Sequence, residues 1–243
     1  MTTPPYSELI AAVRREGAGI LAAAQLGLDA PVPTCPDWDV EALVRHVSRV
    51  YTTAGYVVGH RVTQRPAEFP PVPEGEPLAV LESLLDDLVG ALREAEADTE
   101  VWSWSLDVEP TAAFWARRMA HESSVHRFDA QIAHAMPQPI DSELAADGLD
   151  EFIDVLTPRL YDRNGGTGPQ GTVQLLSTDD VSWCLGLESD SVERLEVVSE
   201  PDASARGTSS TLLLALYGRV PWTSLTIEGD IELLNTWSAA LNF

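Results

Sequence analysis

Apolar residues recur at three- and four-residue spacing along four stretches in the first half of the chain, the pattern of helices that bury one face. The first stretch runs from Tyr6 to Leu28, with Ser7 as a candidate cap and Gly27 near its end. PVPTCPDWD interrupts it: Pro31, Pro33 and Pro36 forbid regular helix, and Asp37 or Asp39 is placed to cap the next one. With Glu41 favourable in the first turn, a second helix is predicted from about Val40 to His60. Five prolines between Val62 and Pro77 mark a long loop lying over one end of the domain, a candidate lid. Helical periodicity returns over Leu78 to Ala97 and Thr111 to Ala135, joined by the aromatic connection VWSWSLDVEP.

After MPQPID the pattern changes. A helix is predicted near Ser142 to Leu156, then a glycine-rich break at NGGTGPQG, then strand-like runs TVQLLS, VSWCLGL and VERLEVVS. GTSSTLLLALYG and DIELLNTWSAAL read as capped helices with the short run SLTIEG between them. The expected fold class is α+β: a four-helix bundle over residues 1–139 and a smaller α/β domain over residues 140–243. No internal repeat and no low-complexity tract is present.

Composition narrows the function. The 44% hydrophobic and 22% charged residues suit an ordinary folded protein. A formal charge of -23, from 38 acidic and 15 basic residues, repels phosphate backbones, so nucleic acids and anionic membranes are not expected partners. Cys35 and Cys184 form neither a CxxC pair nor a dense framework, which points to structural thiols in a reducing cytoplasm. MTTPPYSELI lacks the basic and apolar segments of a secretory signal, and no apolar run reaches membrane-span length. A soluble, unexported protein is expected, as a monomer or small homo-oligomer.

The chemistry concentrates in the fourth helix. Glu122 and His126 are four residues apart, so at about 100° per residue they project from nearly the same side, one turn apart. Trp115, Met119 and Ala133 fall on that side too, which turns the pair toward the bundle interior. A buried carboxylate there must be protonated, hydrogen-bonded or bound to a cation. On the second helix His46 borders the stripe of Leu43, Val47, Val50, Ala54 and Val57, at the rim of the apolar face. Two arrangements fit this spacing: a Glu-His hydrogen bond in a helical core beside a half-buried His46, or a shared divalent cation with an open coordination position.

His121 diverges from His126 by about 140° at five-residue separation, so HExxxH does not reproduce the HExxH geometry of zinc peptidases. Asp129, three residues past His126, is placed to orient its ring, to bond backbone, or to face solvent. His60 and His134 lie near helix ends and are expected in solvent.

The segments TCPDWDVEALVRHV, AHESSVHRFDAQ, LLLALYGR and GDIELLNTW together resemble the mycothiol-dependent maleylpyruvate isomerase family over nearly the whole chain. The resemblance implies a DinB-like metal-binding four-helix domain followed by a domain similar to sterol carrier protein 2. It implies that His46, Glu122 and His126 ligate zinc or another divalent metal. It also implies that Arg219, in LLLALYGR, serves catalysis and cofactor binding by reaching toward the site, where its guanidinium would pair with a carboxylate; a surface arginine capping its helix C-terminus is the other reading.

The expected function is therefore a metal-dependent enzyme whose partners are mycothiol, as thiol cosubstrate, and a small electrophile. Metal coordination would convert the thiol to a nucleophilic thiolate, with no role for either cysteine. A thiol S-transferase is the first expectation and a maleylpyruvate-type cis-trans isomerase the alternative. A non-catalytic metal-binding ligand module is the rival outside enzymes, and a lipid carrier the weaker one.

Overall fold

The prolines and caps cut the first half of the chain into α1 (Tyr6–Ala24), α2 (Val40–Gly59), α3 (Pro77–Glu94) and α4 (Ala112–Ile132). The computed structural model describes residues 3–105, 108–165 and 167–241. Asp39 caps α2 by accepting from the Ala42 N–H at 2.8 Å, and Thr111 caps α4 by accepting from Phe114. α1 begins at Tyr6 as expected but without the Ser7 cap, following Pro5 with no side-chain cap, and it stops at Ala24, short of Leu28. The N–H groups of Leu26 and Gly27 fold back on the carbonyls of Ala23 and Ala24, and Gly27 takes a positive φ of 154°. α1 and α2 each pack against both α3 and α4, which closes a four-helix bundle.

α4 is buried around nearly its whole circumference. Trp115, Met119 and Val125 are joined inside by Arg118, His121, Ser123, Ser124, Arg127 and Asp129. The single inward face expected from Trp115, Met119 and Ala133 is too narrow, because Ala133 is partly exposed while polar positions on the other sides are covered. Buried polar groups require partners, and these cross-link the bundle. Tyr51 of α2 bonds Ser123 at 2.7 Å, and burial pushes the Tyr51 hydroxyl well above its usual range. Arg127 donates to Glu16 of α1, to Gln131, and to the carbonyls of Gln138 and Pro139.

The chain divides into two compact units with the break between Ile140 and Asp141. In the second, α5 (Ser142–Glu151) passes through a π-helical turn, Phe152–Leu156, into α6 (Thr157–Asn164). The helical run passes the predicted stop at Leu156 and continues to Asn164, with Pro158 just beyond the π-helical turn. The strands β1 (Gly171–Ser177), β2 (Ser182–Leu187), β3 (Val192–Arg194), β4 (Ala203–Gly207) and β5 (Thr226–Gly229) form one mixed sheet. Its order is β3-β2-β1-β4-β5, with only the β1–β4 pair parallel.

VERLEVVS pairs over three residues rather than its whole length, and β4 is built from ASARG, whose small residues carry no alternation signal. Gly229, at φ 81°, is a required glycine, since a Cβ there would lie 2.2 Å from the Asp202 carbonyl oxygen. α7 (Ser209–Leu216) packs on β1 and β4, and α8 (Ile231–Ala240) on β4. The architecture is α+β. No described helix is long and apolar enough to cross a membrane.

Glu16→Ala is expected to destabilise the protein by about 3–5 kcal/mol in urea denaturation, because it strands the Arg127 guanidinium in the interior. An unchanged midpoint would show that the Gln131 side chain and the two carbonyls satisfy Arg127 alone.

Candidate metal centre

α2 and α4 bring His46, Glu122 and His126 together so that one donor atom from each lies within 4.8 Å of the others. Glu122 Oε1 is 3.2 Å from His46 Nε2 and 3.3 Å from His126 Nε2. A tetrahedral ion with bonds near 2.0–2.1 Å separates its ligands by about 1.6 times the bond length, roughly 3.3 Å. The two distances to Glu122 Oε1 match that separation, and two imidazole nitrogens with a carboxylate oxygen are a donor set suited to zinc or another borderline divalent cation. The helical spacing of Glu122 and His126 supplies two donors, and the Tyr51–Ser123 hydrogen bond ties α2 to α4 beside them.

His126 and Glu122 are themselves held. Asp129, wholly buried, accepts from His126 Nδ1 at 2.9 Å, so the N–H sits on Nδ1 and Nε2 faces the other two side chains. Of the alternatives for Asp129, ring orientation is the one realised. Asp129 also accepts from Thr34 Oγ1 at 2.6 Å and from Cys35 Sγ at 3.6 Å. Glu122 Oε2, the oxygen turned away from the imidazoles, accepts from Arg118 Nη2 at 3.1 Å.

The proline-rich segment between α1 and α2 folds over this group. Pro31 bridges to Asp39, the Val32 N–H bonds the Trp38 carbonyl, and the Trp38 N–H bonds the Cys35 carbonyl. Asp37 adopts the left-handed region at φ 68° to complete the turn. The loop thereby lays the Trp38 ring 5.0 Å from the His46 ring and 6.4 Å from that of His126.

Other sequence candidates lie elsewhere. His121 is fully buried and is not part of the three-residue group. His60 is exposed beside the Tyr56 ring, as expected, but His134 is only partly exposed and its Nε2 is buried, against the expectation of a solvated ring. Arg219 belongs to the second unit, where its Nη1 donates to the Tyr217 carbonyl at 2.9 Å and its guanidinium lies 5.9 Å from the Tyr217 ring centre. Phe69 of the proline-rich loop and Trp102 pack with ring centres 5.5 Å apart. Sequence reading missed Arg118, Thr34, Cys35 and Trp38. Arg118 carried a usable signal, four residues before Glu122; the other three carried none, since their roles depend on the folded loop.

The electrostatics follow from this packing. Burial pushes the Glu122 carboxyl up, but the His126 charge, hydrogen bonds from His126 and His46, and the Arg118 charge reverse it, leaving the group well below the usual carboxylate range. Burial disfavours the His126 imidazolium, and the Glu122 charge with the Asp129 hydrogen bond overcomes that, raising its pKa to about 9. Because the fold favours protonated His126, its contribution to stability is fully present below pH 6.5 and is lost as pH rises through about 9. Chelator-treated protein is expected to lose stability across that window, and Glu122→Gln to lose less. Histidine NMR titration checks the assignment: a ring that deprotonates near 6.5 would contradict it.

Two family models match in series: the mycothiol maleylpyruvate isomerase N-terminal domain over residues 9–131, and the MDMPI C-terminal domain over residues 143–236. No curated protein matches the chain at a significant level. A crystal structure of a mycothiol-dependent maleylpyruvate isomerase is similar with a TM-score of 0.60 at 15% identity, covering 95% of this chain and 97% of that one. A histidine-to-alanine mutant of that enzyme gives 0.62 at 16%, with the same coverage. At such identities the likeness speaks for the fold, whereas the two domain matches, in order and over most of the length, speak for descent: the chain belongs to the mycothiol maleylpyruvate isomerase family.

Proposed function

We propose that this chain is a metal- and mycothiol-dependent isomerase that converts a small cis-unsaturated dicarboxylate of the maleylpyruvate type to its trans isomer. The observation that carries the reading is the convergence of donor atoms from His46, Glu122 and His126 within 4.8 Å of one another in a chain of this family. These three residues would hold zinc or another divalent cation. Such an ion lowers the pKa of a coordinating thiol, so that the thiolate is available near neutral pH.

This chain's own groups prepare that site. Asp129 keeps the His126 proton on Nδ1 and Nε2 free to ligate, while Thr34 and Cys35 fix Asp129. Trp38 walls one side with an apolar surface that limits water. The mycothiol thiolate would add to the double bond, its sulfur-carbon bond forming as the π pair moves into the conjugated carbonyl. The former double bond then rotates, the pair returns, and the thiolate leaves unchanged. Arg219 is assigned the substrate carboxylate on the paired donors of its guanidinium and the family resemblance.

The S-transferase expected first from the sequence requires a leaving group on the substrate or a stable thioether product. The family match favours the reversible outcome, in which the thiol is regenerated.

His46→Ala and Glu122→Ala are each expected to lose bound metal and thiol-dependent isomerisation together, by more than the roughly 10–100-fold in metal affinity expected for Asp129→Asn. Elemental analysis and an absorbance assay on maleylpyruvate with mycothiol provide the two readouts. Full metal content in both alanine variants would end the ligand assignment. A stable thioether in place of the trans acid would replace the isomerase with the transferase.

A further inference from the structure

The two oxygens of Glu122 have different neighbours. Oε1 lies between the imidazoles of His46 and His126, at 3.2 and 3.3 Å, while Oε2 receives the Arg118 Nη2 at 3.1 Å. The Arg118 side chain is only 5% exposed. A charge-assisted hydrogen bond between two groups largely removed from water is stronger than a neutral one, which favours keeping the contact in place. Both residues sit one turn apart on α4, whose backbone is locked on all sides by buried neighbours.

We propose that Arg118 is a positioning residue that restricts Glu122 to ligation through Oε1 alone. The proposal rests on the metal reading above and specifies how one coordination position is kept for an outside ligand. A carboxylate with both oxygens free ligates through one or both, and Oε2 as a second donor would occupy the place a thiol needs. A hydrogen bond from a cationic donor lowers the basicity of Oε2 and holds it away from the imidazoles. The same buried positive charge offsets that of the carboxylate, so the ion keeps more of its own charge for an anionic ligand such as a thiolate. Anionic sulfur and oxygen ligands are thereby favoured over neutral amines.

Cobalt(II) substitution reads coordination number directly, because four-coordinate cobalt absorbs visible light far more strongly than five- or six-coordinate cobalt. Wild-type protein is expected to show the intense four-coordinate bands and to shift them when a small thiol is added. In Arg118→Met, Oε2 is released, the bands should weaken severalfold, and the thiol-induced shift should shrink. Arg118→Lys still places a cationic donor at Oε2 and should restore the wild-type spectrum, which a merely structural ion pair would not require.

An Arg118→Met spectrum and thiol response equal to wild type would overturn the assignment while leaving the metal reading standing. If Arg118→Met fails to fold, Arg118→Gln replaces it: a spectrum and thiol shift equal to wild type there overturn the proposal, and weakened bands that Arg118→Lys restores support it. Failure of wild-type protein to bind cobalt would remove the metal reading, and this proposal with it.

Discussion

A helix that is buried around nearly its whole circumference and carries charged residues inside must have each of those charges met by a neighbour, and α4 is such a helix. Glu16 reaches it from α1, Tyr51 and His46 from α2, and Thr34 and Cys35 from the loop between them. The polar partners of α4 therefore do what apolar packing alone does poorly, which is to set one register among several of similar area. His46 meets Glu122 on the same pair of helices that the Tyr51–Ser123 hydrogen bond joins. Specificity of this kind is the best-attested role of buried polar contacts, and here its product is the candidate metal centre.

The charges in that centre are ordered in series along α4. Arg118 meets Oε2 of Glu122, Oε1 meets His46 and His126, and His126 meets Asp129. Within the row, Arg118 and His126 hold the Glu122 carboxyl low, and Glu122 with Asp129 raises His126, each favouring the charged form of its neighbour. The row ends at a carboxylate held by the hydroxyl of Thr34 and the thiol of Cys35. Cys35, which sequence reasoning set aside as uninvolved, is thus a support of His126 through Asp129, while remaining outside the ligand group.

The second unit is a separate construction, a mixed sheet whose one parallel pair, β1 with β4, needs a crossover that a run of hairpins would not. Its small-residue strand β4 lets α7 and α8 approach the sheet. The two domain matches keep the same order as the two units. Family membership fixes the general chemistry more tightly than fold does, because folds of this kind host many activities and the distinction lies in side chains.

What the sequence determined by itself was everything that depends on near neighbours. The four-residue step from Glu122 to His126, a cap at Asp37 or Asp39 and the proline breaks are local and were legible in order along the chain, with Asp39 the cap realised. The segments TCPDWDVEALVRHV and AHESSVHRFDAQ also carried the family resemblance that the domain matches support. Tertiary structure alone decided which distant groups joined them. Thr34 and Asp129 are 95 positions apart, and the loop that lays Trp38 beside the two imidazoles meets α4 through contacts of this kind. β4 was invisible for the same reason: ASARG has no apolar period, and it becomes a strand because β1 and β5 offer it hydrogen bonds on both sides. Periodicity reports what a segment buries, whereas the partner it meets is set by contacts whose closure involves the whole chain.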